Sequence, residues 1–231
     1  MGNDHFVRFE NVDKSYDGKQ LVVKGLNLDI EEGEFVTMLG PSGSGKTTLL
    51  NVIGGLDSAS EGTVSVLDHS LNNTSHNERA LLRRKHMGFI FQSYNLLPVY
   101  TVYENVELPL ILNKVSPLER EKKVNQAIEW VGLSDKRDSQ PNTLSGGQCQ
   151  RTAIARAIVH QPDLVLADEP TANLDAENSH HIMKILTKLN KEISTSFVFA
   201  THDEKIMGYL KRIIHLEDGM INKDEKFEKS K

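Results

Sequence analysis

Cysteine is nearly absent from this 231-residue chain; the single one is Cys149. An internal disulfide is therefore excluded, and a reducing compartment is the simple expectation. Long apolar runs are missing as well. A membrane-spanning helix needs about 20 consecutive apolar residues. The longest runs here, such as Phe35-Val36 and Leu164-Val165-Leu166-Ala167, are of strand length. Work at a membrane would have to pass through a partner. No charged-then-apolar leader opens the sequence, which is the expectation for a protein that is not secreted. The net charge is -5, and no basic block could track a nucleic-acid backbone, so nucleic acid is not an expected partner. Internal repeats are lacking too.

What is present suits one large α/β domain, or such a domain with a lobe inserted. A hydrophobic share of 38% is enough for a core. Residues 6–9 and 21–23 read as strands, with a turn at 14–18 between them. The alternation over 26–30 predicts another strand, and 35–39 a buried one. A helix is expected from Lys46 to about Ile53, ended by Gly54-Gly55, then strands at 63–67 and 87–91. From Thr101 to about His160 the pattern turns helical, with a break at 134–143; Val124, Ile128 and Val131 recur at helical spacing. Strands are expected again at 164–167 and 196–200, with a helix over 178–193 between them. The stretch 222–231 is polar and of mixed charge, and reads as a frayed end.

Two glycine turns carry the chemistry. The first is Gly40-Pro41-Ser42-Gly43-Ser44-Gly45-Lys46-Thr47, a full match to G-x-x-x-x-G-K-[ST]. With average residue usage, such a match arises by chance in roughly one chain of this length in a hundred. Its glycines let backbone N–H groups turn onto phosphate oxygens, and the helix that follows points its positive end at the same charge. Lys46 would reach the β- and γ-phosphates, and the Thr47 hydroxyl would ligate Mg²⁺. The second turn is Leu144-Ser145-Gly146-Gly147-Gln148, opening another helix and so another anion site. A third signal is Leu164-Val165-Leu166-Ala167-Asp168-Glu169, an apolar strand closed by two acids. Beside a phosphate loop, Asp168 would hold the Mg²⁺ shell. Glu169 would orient and deprotonate the attacking water. The ordinary reading of each motif is a Gly/Ser-rich loop or a strand end; the three in order argue against it.

Together these motifs resemble the ATP-binding cassette (ABC) family over nearly the whole chain. The resemblance implies a phosphate-loop (RecA-like) ATPase core with an antiparallel β subdomain and an inserted helical subdomain. On that pattern, 1–91 and 161–221 would form the β subdomain and core, 92–160 the helical subdomain, and 222–231 a polar tail. It implies ATP and Mg²⁺ as ligands. It also implies head-to-tail pairing of two copies in the ATP state. Ser145 and Gly147 of one copy, with Gly146 and Gln148, would then meet the γ-phosphate held by the other copy's loop, including Thr48. Asn173-Leu174-Asp175 resembles the loop that runs across that seam. Gln92 would ligate Mg²⁺ and sense the partner, and His202 would be the switch histidine at the γ-phosphate. Tyr16 lies in the place that stacks on adenine, a face open to any base. The other eight histidines read as ordinary surface residues, since adjacent His180 and His181 face apart on a helix.

Two departures stand out. Cys149 replaces a long polar residue; it is expected to face along the helix that the second turn opens and to matter little, the alternative being a dimer sensitive to thiol reagents. Ala172 replaces a frequent glycine, with no clear consequence.

The run Gly88-Phe89-Ile90-Phe91-Gln92, Asn95-Leu96-Leu97-Pro98, Thr101 and 104–110, with Gly54-Gly55-Leu56-Asp57, resembles the lipoprotein-release (LolD-type) and export (MacB-type) branch. That branch implies an ATPase on the cytoplasmic face of the membrane, driving a permease. Residues 93–110 would form the groove for the permease's coupling helix, unless Leu96, Leu97 and Val99 are lobe core. An FtsE-like ATPase, which signals through a membrane partner without transport, shares nearly all these features. A soluble ABC protein of translation would carry two cassettes, and one of DNA repair a long coiled coil between the glycine turns. A small-molecule kinase would lack the second turn.

Overall fold

The structure is a computed structural model and describes residues 6–227. In chain order its elements are β1 (Val7–Ser15), β2 (Leu21–Ile30), β3 (Phe35–Leu39), α1 (Lys46–Ile53), β4 (Glu61–Val66), β5 (His69–Ser70), α2 (His76–His86), β6 (Met87–Ile90), α3 (Val102–Leu112), α4 (Pro117–Trp130), α5 (Gly146–Ile158), β7 (Leu164–Asp168), α6 (Ala176–Glu192), β8 (Ser196–Thr201), β9 (Arg212–Glu217) and β10 (Met220–Lys226). Short 3₁₀ turns lie at Ser134–Lys136, Pro141–Thr143 and Glu204–Tyr209. The chain forms two compact units. One spans the chain up to Arg83 and from Ser196 onward; the other spans Arg84–Thr195.

The first unit holds an antiparallel sheet in the order β2-β1-β4-β5. Two strands expected at 21–23 and 26–30 are one strand, β2, bent where its register against β1 shifts. Gly25 sits there at φ 51, and the Asp13 carboxylate accepts its N–H at 2.6 Å. Likewise β1 runs through the expected turn as far as Ser15. The same unit holds β10-β9-β3-β8, with β3 parallel to both β8 and β9. Phe35, Val36, Thr37 and Met38 are all buried, as a run with one small polar residue among apolar ones suits a strand covered on both faces. Phe35 packs on Phe199 at a ring separation of 4.5 Å. Burying one such side chain contributes about 1.5–3 kcal/mol. The end of β3 delivers the chain straight into Gly40.

The polar stretch 222–226 is not a frayed end. It is most of β10, paired antiparallel with β9. Arg212, itself 7% exposed, forks onto both Asp224 oxygens at 2.9 and 2.7 Å and also meets Glu34 at 2.5 Å. Charge on an edge strand hides it from a hydrophobicity reading, and also blunts it against pairing with other chains. Residues 228–231 of the expected tail lie outside the described residues. Helix α2 was not expected either, because its one buried residue is Leu82. Its start is nonetheless marked: Ser75 Oγ accepts the Glu78 N–H, and the Glu78 carboxylate accepts the Ser75 N–H at 2.8 Å, a capping box.

The second unit holds β6 parallel to β7, and α3, α4 and α5 around Val106, Leu110, Val124, Ile128, Ile154 and Ile158, all buried. Strand β6 lies directly on α5. A Cβ on Gly88 would stand 2.3 Å from the Ala157 carbonyl oxygen, so only glycine permits this approach.

Candidate functional site

The phosphate loop is shaped by its backbone. Gly43 and Gly45 take φ 81 and φ 98, which side-chain-bearing residues avoid. A Cβ on Gly40 would stand 2.2 Å from the Leu216 carbonyl oxygen. Lys46 is buried, and its Nζ donates to the carbonyls of Gly40 and Pro41 at 2.8 and 2.9 Å, tying the loop's end to its start. Helix α1 begins after Gly45 with no side-chain cap and no acid in its first turn. Its N-terminal N–H groups are therefore not taken by a side chain of the cap residue. Ser44 Oγ is buried without a hydrogen-bond partner. An uncapped helix start and an orphaned hydroxyl inside a glycine cradle fit an anionic oxygen cluster such as a triphosphate.

His202, at the end of β8, lines a cavity of about 620 Å³ together with Gly40, Pro41, His215, Glu217 and Lys223. The structure thus brings the expected switch histidine to the start of the phosphate loop. Tyr16 is 63% exposed and held from below. Its hydroxyl lies 3.2 Å from Thr48 Oγ1, and Lys14 Nζ sits 4.7 Å from its ring centre. Lys14 in turn pairs with Asp57 at 2.6 Å. Burial pushes the Asp57 carboxyl up, but bonds from Lys14 and the Ser58 N–H outweigh it and leave it below its usual value.

Gln92, Ser145, Gly146, Gly147, Gln148, Asp168, Glu169 and Asp175 belong to the second unit; Thr47 belongs to the first. Asp168 closes β7, and Glu169 follows at φ 48. Left-handed backbone on a non-glycine residue costs of order 1–3 kcal/mol and tends to mark functional positions. The second glycine turn, Leu144-Ser145-Gly146-Gly147-Gln148, here called the signature turn, is closed on itself. Ser145 Oγ accepts the Gln148 N–H at 3.3 Å, while Gln148 Oε1 accepts the Ser145 N–H at 2.8 Å. Ser145 and Gly146 are exposed and Gly147 is buried. The Ser145 hydroxyl still carries a proton to donate.

Asp175 caps α6, accepting from the Asn178 N–H at 2.8 Å and its amide at 2.9 Å. These bonds hold its carboxyl below the usual range.

Sequence reasoning missed several residues that fix these loops. A Cβ on Gly147 would stand 2.6 Å from Asn178 Oδ1, so Asn178 joins the signature turn to the Asp175 loop. Gln150, 1% exposed, donates to the Pro170 carbonyl at 2.7 Å just past Glu169. Asn105, fully buried, accepts from the Leu97 N–H and donates to the carbonyls of Leu97, Tyr100 and Thr101. An amide on the Val102–Val106 apolar face was the signal for it. Leu97 and Val99 stand 39% and 73% exposed, so they are not lobe core; Leu96 is half-buried. Cys149 is buried, its Sγ 3.6 Å from the Pro141 carbonyl, and burial pushes its thiol pKa up. A thiol so placed is a poor nucleophile, which goes with the expectation that Cys149 matters little and against the alternative of sensitivity to thiol reagents. His180 and His181 are both exposed on α6, and among the described residues no acid, cysteine and histidine group could hold a metal.

The ABC transporter family model matches residues 23–172. The lipoprotein-releasing system ATP-binding protein LolD of Francisella tularensis is 46% identical over 221 residues, which cover 94% of this chain and 96% of that protein. The bacitracin export ATP-binding protein BceA of Halalkalibacterium halodurans is 41% identical over 91% of this chain and 85% of its own. Among solved structures, the dimeric post-hydrolysis state of the ATP-binding cassette MJ0796 bound to ADP and Pi superposes with a TM-score of 0.88. It shares 43% identity and is matched over 96% of this chain and 99% of that one.

Proposed function

The chain belongs to the ABC transporter family, and from that premise we propose how its residues act in an ATP-hydrolysing subunit that drives a membrane permease. It is an ATPase of the LolD and MacB type. The observation that carries the mechanism is the contrast between the two glycine turns. Helix α1 starts without a side-chain cap, whereas α5 starts with its cap made internally. One turn holds triphosphate by itself; the other offers a shaped, exposed hydroxyl to the phosphate on a second copy.

In this reading residues 40–48 cradle the phosphates, Lys46 reaches the β- and γ-phosphates, and Tyr16 supports the base. Thr47, Gln92 and Asp168 would hold Mg²⁺, which would neutralise charge on the phosphate oxygens. Glu169 orients the attacking water and takes its proton. His202 contacts the γ-phosphate. Ser145 and Gly147 act on the nucleotide of the other copy, and Asp175 lies at the seam. Ligand that bridges two copies favours the pair by mass action. Hydrolysis removes the bridge, an order-to-disorder switch of the kind phosphate-loop machines use.

Among the described residues no helix is long and apolar enough to cross a membrane, and in this reading the permease is a separate chain. The exposed Leu97, Val99 and Tyr100, held in place by Asn105, support the reading of 93–110 as the groove for its coupling helix. The protein then sits on the inner face of the membrane. LolD serves lipoprotein release and BceA bacitracin export; an amphipathic cargo, exported or extracted, suits both. The test is a native-membrane pull-down with ATP and the Glu169→Gln variant. An integral-membrane permease in the eluate supports the reading. Recovery of ribosomal or DNA-repair proteins without a membrane protein overturns it.

A further inference from the structure

Gln92 is followed by two residues in an unusual state. Tyr94 and Asn95 both take left-handed backbone, at φ 61 and φ 50. Asparagine tolerates this region, but tyrosine avoids it. The conformation is held from outside the loop. Arg156, near the end of α5, donates from Nη2 to the Tyr94 carbonyl at 2.7 Å and from Nη1 to the Asn95 carbonyl at 2.6 Å. Burial pushes the guanidinium pKa down, and among the described residues no carboxylate pairs with it. The half-buried guanidinium thus meets two neutral carbonyls of one loop and braces its left-handed backbone.

The loop touches the other end of the same helix as well. Tyr94 reaches back so that its hydroxyl would stand 3.2 Å from a Cβ on Gly146. Asn173 Nδ2 donates to the Gln92 carbonyl at 2.9 Å. Strand β6, which leads into Gln92, lies against the α5 backbone at Gly88. All of these residues lie within the second unit.

We propose that Arg156 is a positioning residue: it clamps the loop after Gln92 to the signature helix, so that the place of Gln92 and the place of the Ser145 turn are set together. It touches neither nucleotide nor metal, and acts through Gln92. The inference rests on the reading of Gln92 as a Mg²⁺ ligand. The guanidinium's planar fork reaches two carbonyls at once, which an ammonium cannot do in the same geometry. Lysine should therefore rescue only part of the function.

The test is the Mg²⁺ dependence of ATP hydrolysis by the purified full chain. Arg156→Ala, Arg156→Lys, Gln92→Ala and the Arg156→Ala/Gln92→Ala pair are compared with the parent. ATP binding without Mg²⁺ is measured in parallel. We expect Arg156→Ala to raise the Mg²⁺ concentration for half-maximal rate by roughly three- to ten-fold, the scale of losing charge-assisted bonds that act indirectly. Metal-free ATP binding stays unchanged, Arg156→Lys falls between, and the double variant is no worse than Gln92→Ala alone. A shift for Gln92→Ala with none for Arg156→Ala overturns the clamp and leaves Gln92's role standing. Effects of the two that multiply overturn it too, since Arg156 then acts by another route. No shift for Gln92→Ala removes the premise and the inference with it. If Arg156→Ala does not fold, Arg156→Lys carries the same test, and a parent-like Mg²⁺ curve for it counts against the clamp.

Discussion

The two halves of the chain hold their functional loops by different chemistry. In the first unit the phosphate loop is tied by Lys46 to the Gly40 and Pro41 carbonyls, but the fastening around it is largely ionic: Arg212 with Asp224 and Glu34, Lys226 with Glu34, and Lys14 with Asp57 under Tyr16. In the second unit side chains mostly grip backbone carbonyls: Arg156 on Tyr94 and Asn95, Gln150 on Pro170, and Asn105 on 97–101. The same division marks the two glycine turns. The first unit's turn leaves its helix start uncapped; the second unit's turn caps itself. On the proposed reading, one unit is shaped to hold charge, and the other is pre-organised to present a rigid turn to a second copy.

The strongest way to sharpen this contrast is to stop the chemistry while keeping both turns intact. Glu169→Gln should slow steady-state ATP turnover by roughly 10² or more, with ATP binding retained. An unslowed variant would remove Glu169 from the base role. The turns can next be broken one at a time. Gly45→Ala forces a Cβ onto a residue at φ 98, 3.0 Å from the Val22 carbonyl, and should weaken ATP binding by the monomer about ten-fold or more. Gly147→Ala meets Asn178 Oδ1 instead and should leave monomer ATP affinity unchanged while lowering dimer yield. Equilibrium titration with a fluorescent nucleotide, and sedimentation, read the two effects separately.

The ionic fastening predicts a difference in acid. Burial pushes the Glu34 carboxyl up, but bonds from Lys226, the Glu31 N–H and Arg212 outweigh it, so its folded pKa lies below 4.5. A depressed carboxylate stabilises the fold above its unfolded value and loses that contribution as pH falls through the folded value. Below about pH 4.5, hydrogen exchange should therefore rise in β9 and β10 before it rises in α5. At neutral pH, Arg212→Ala should cost about 3 kcal/mol, since it strands partly buried acids, and thermal melting reads it. The smallest effect is expected at Cys149, whose native thiol should react with a thiol reagent far more slowly than in denaturant.

Much of this was legible in the sequence, for local reasons. The phosphate loop, the acid pair after β7 and the signature turn are short motifs whose neighbours in sequence fix their shape. Strand β3 and helix α1 have the expected bounds because a buried run and a glycine-to-lysine junction leave little choice. Other parts hid because their partners are distant. Strand β10 looks like a tail until Arg212 is placed beside Asp224. Helix α2 lacks an apolar period, although Ser75 and Glu78 announced its start. Arg156 and Gln150 read as ordinary helix residues, and only the folded chain shows which carbonyls they reach.

The central claim is that the Ser145 turn works on ATP held by another copy. The most direct measurement is sedimentation with ATP of Glu169→Gln against Glu169→Gln/Ser145→Arg, with ATP binding measured on the same samples. The account predicts an ATP-held dimer for the first, and a monomer that still binds ATP for the second. A dimer that survives Ser145→Arg, or a monomer that no longer binds ATP, would contradict it.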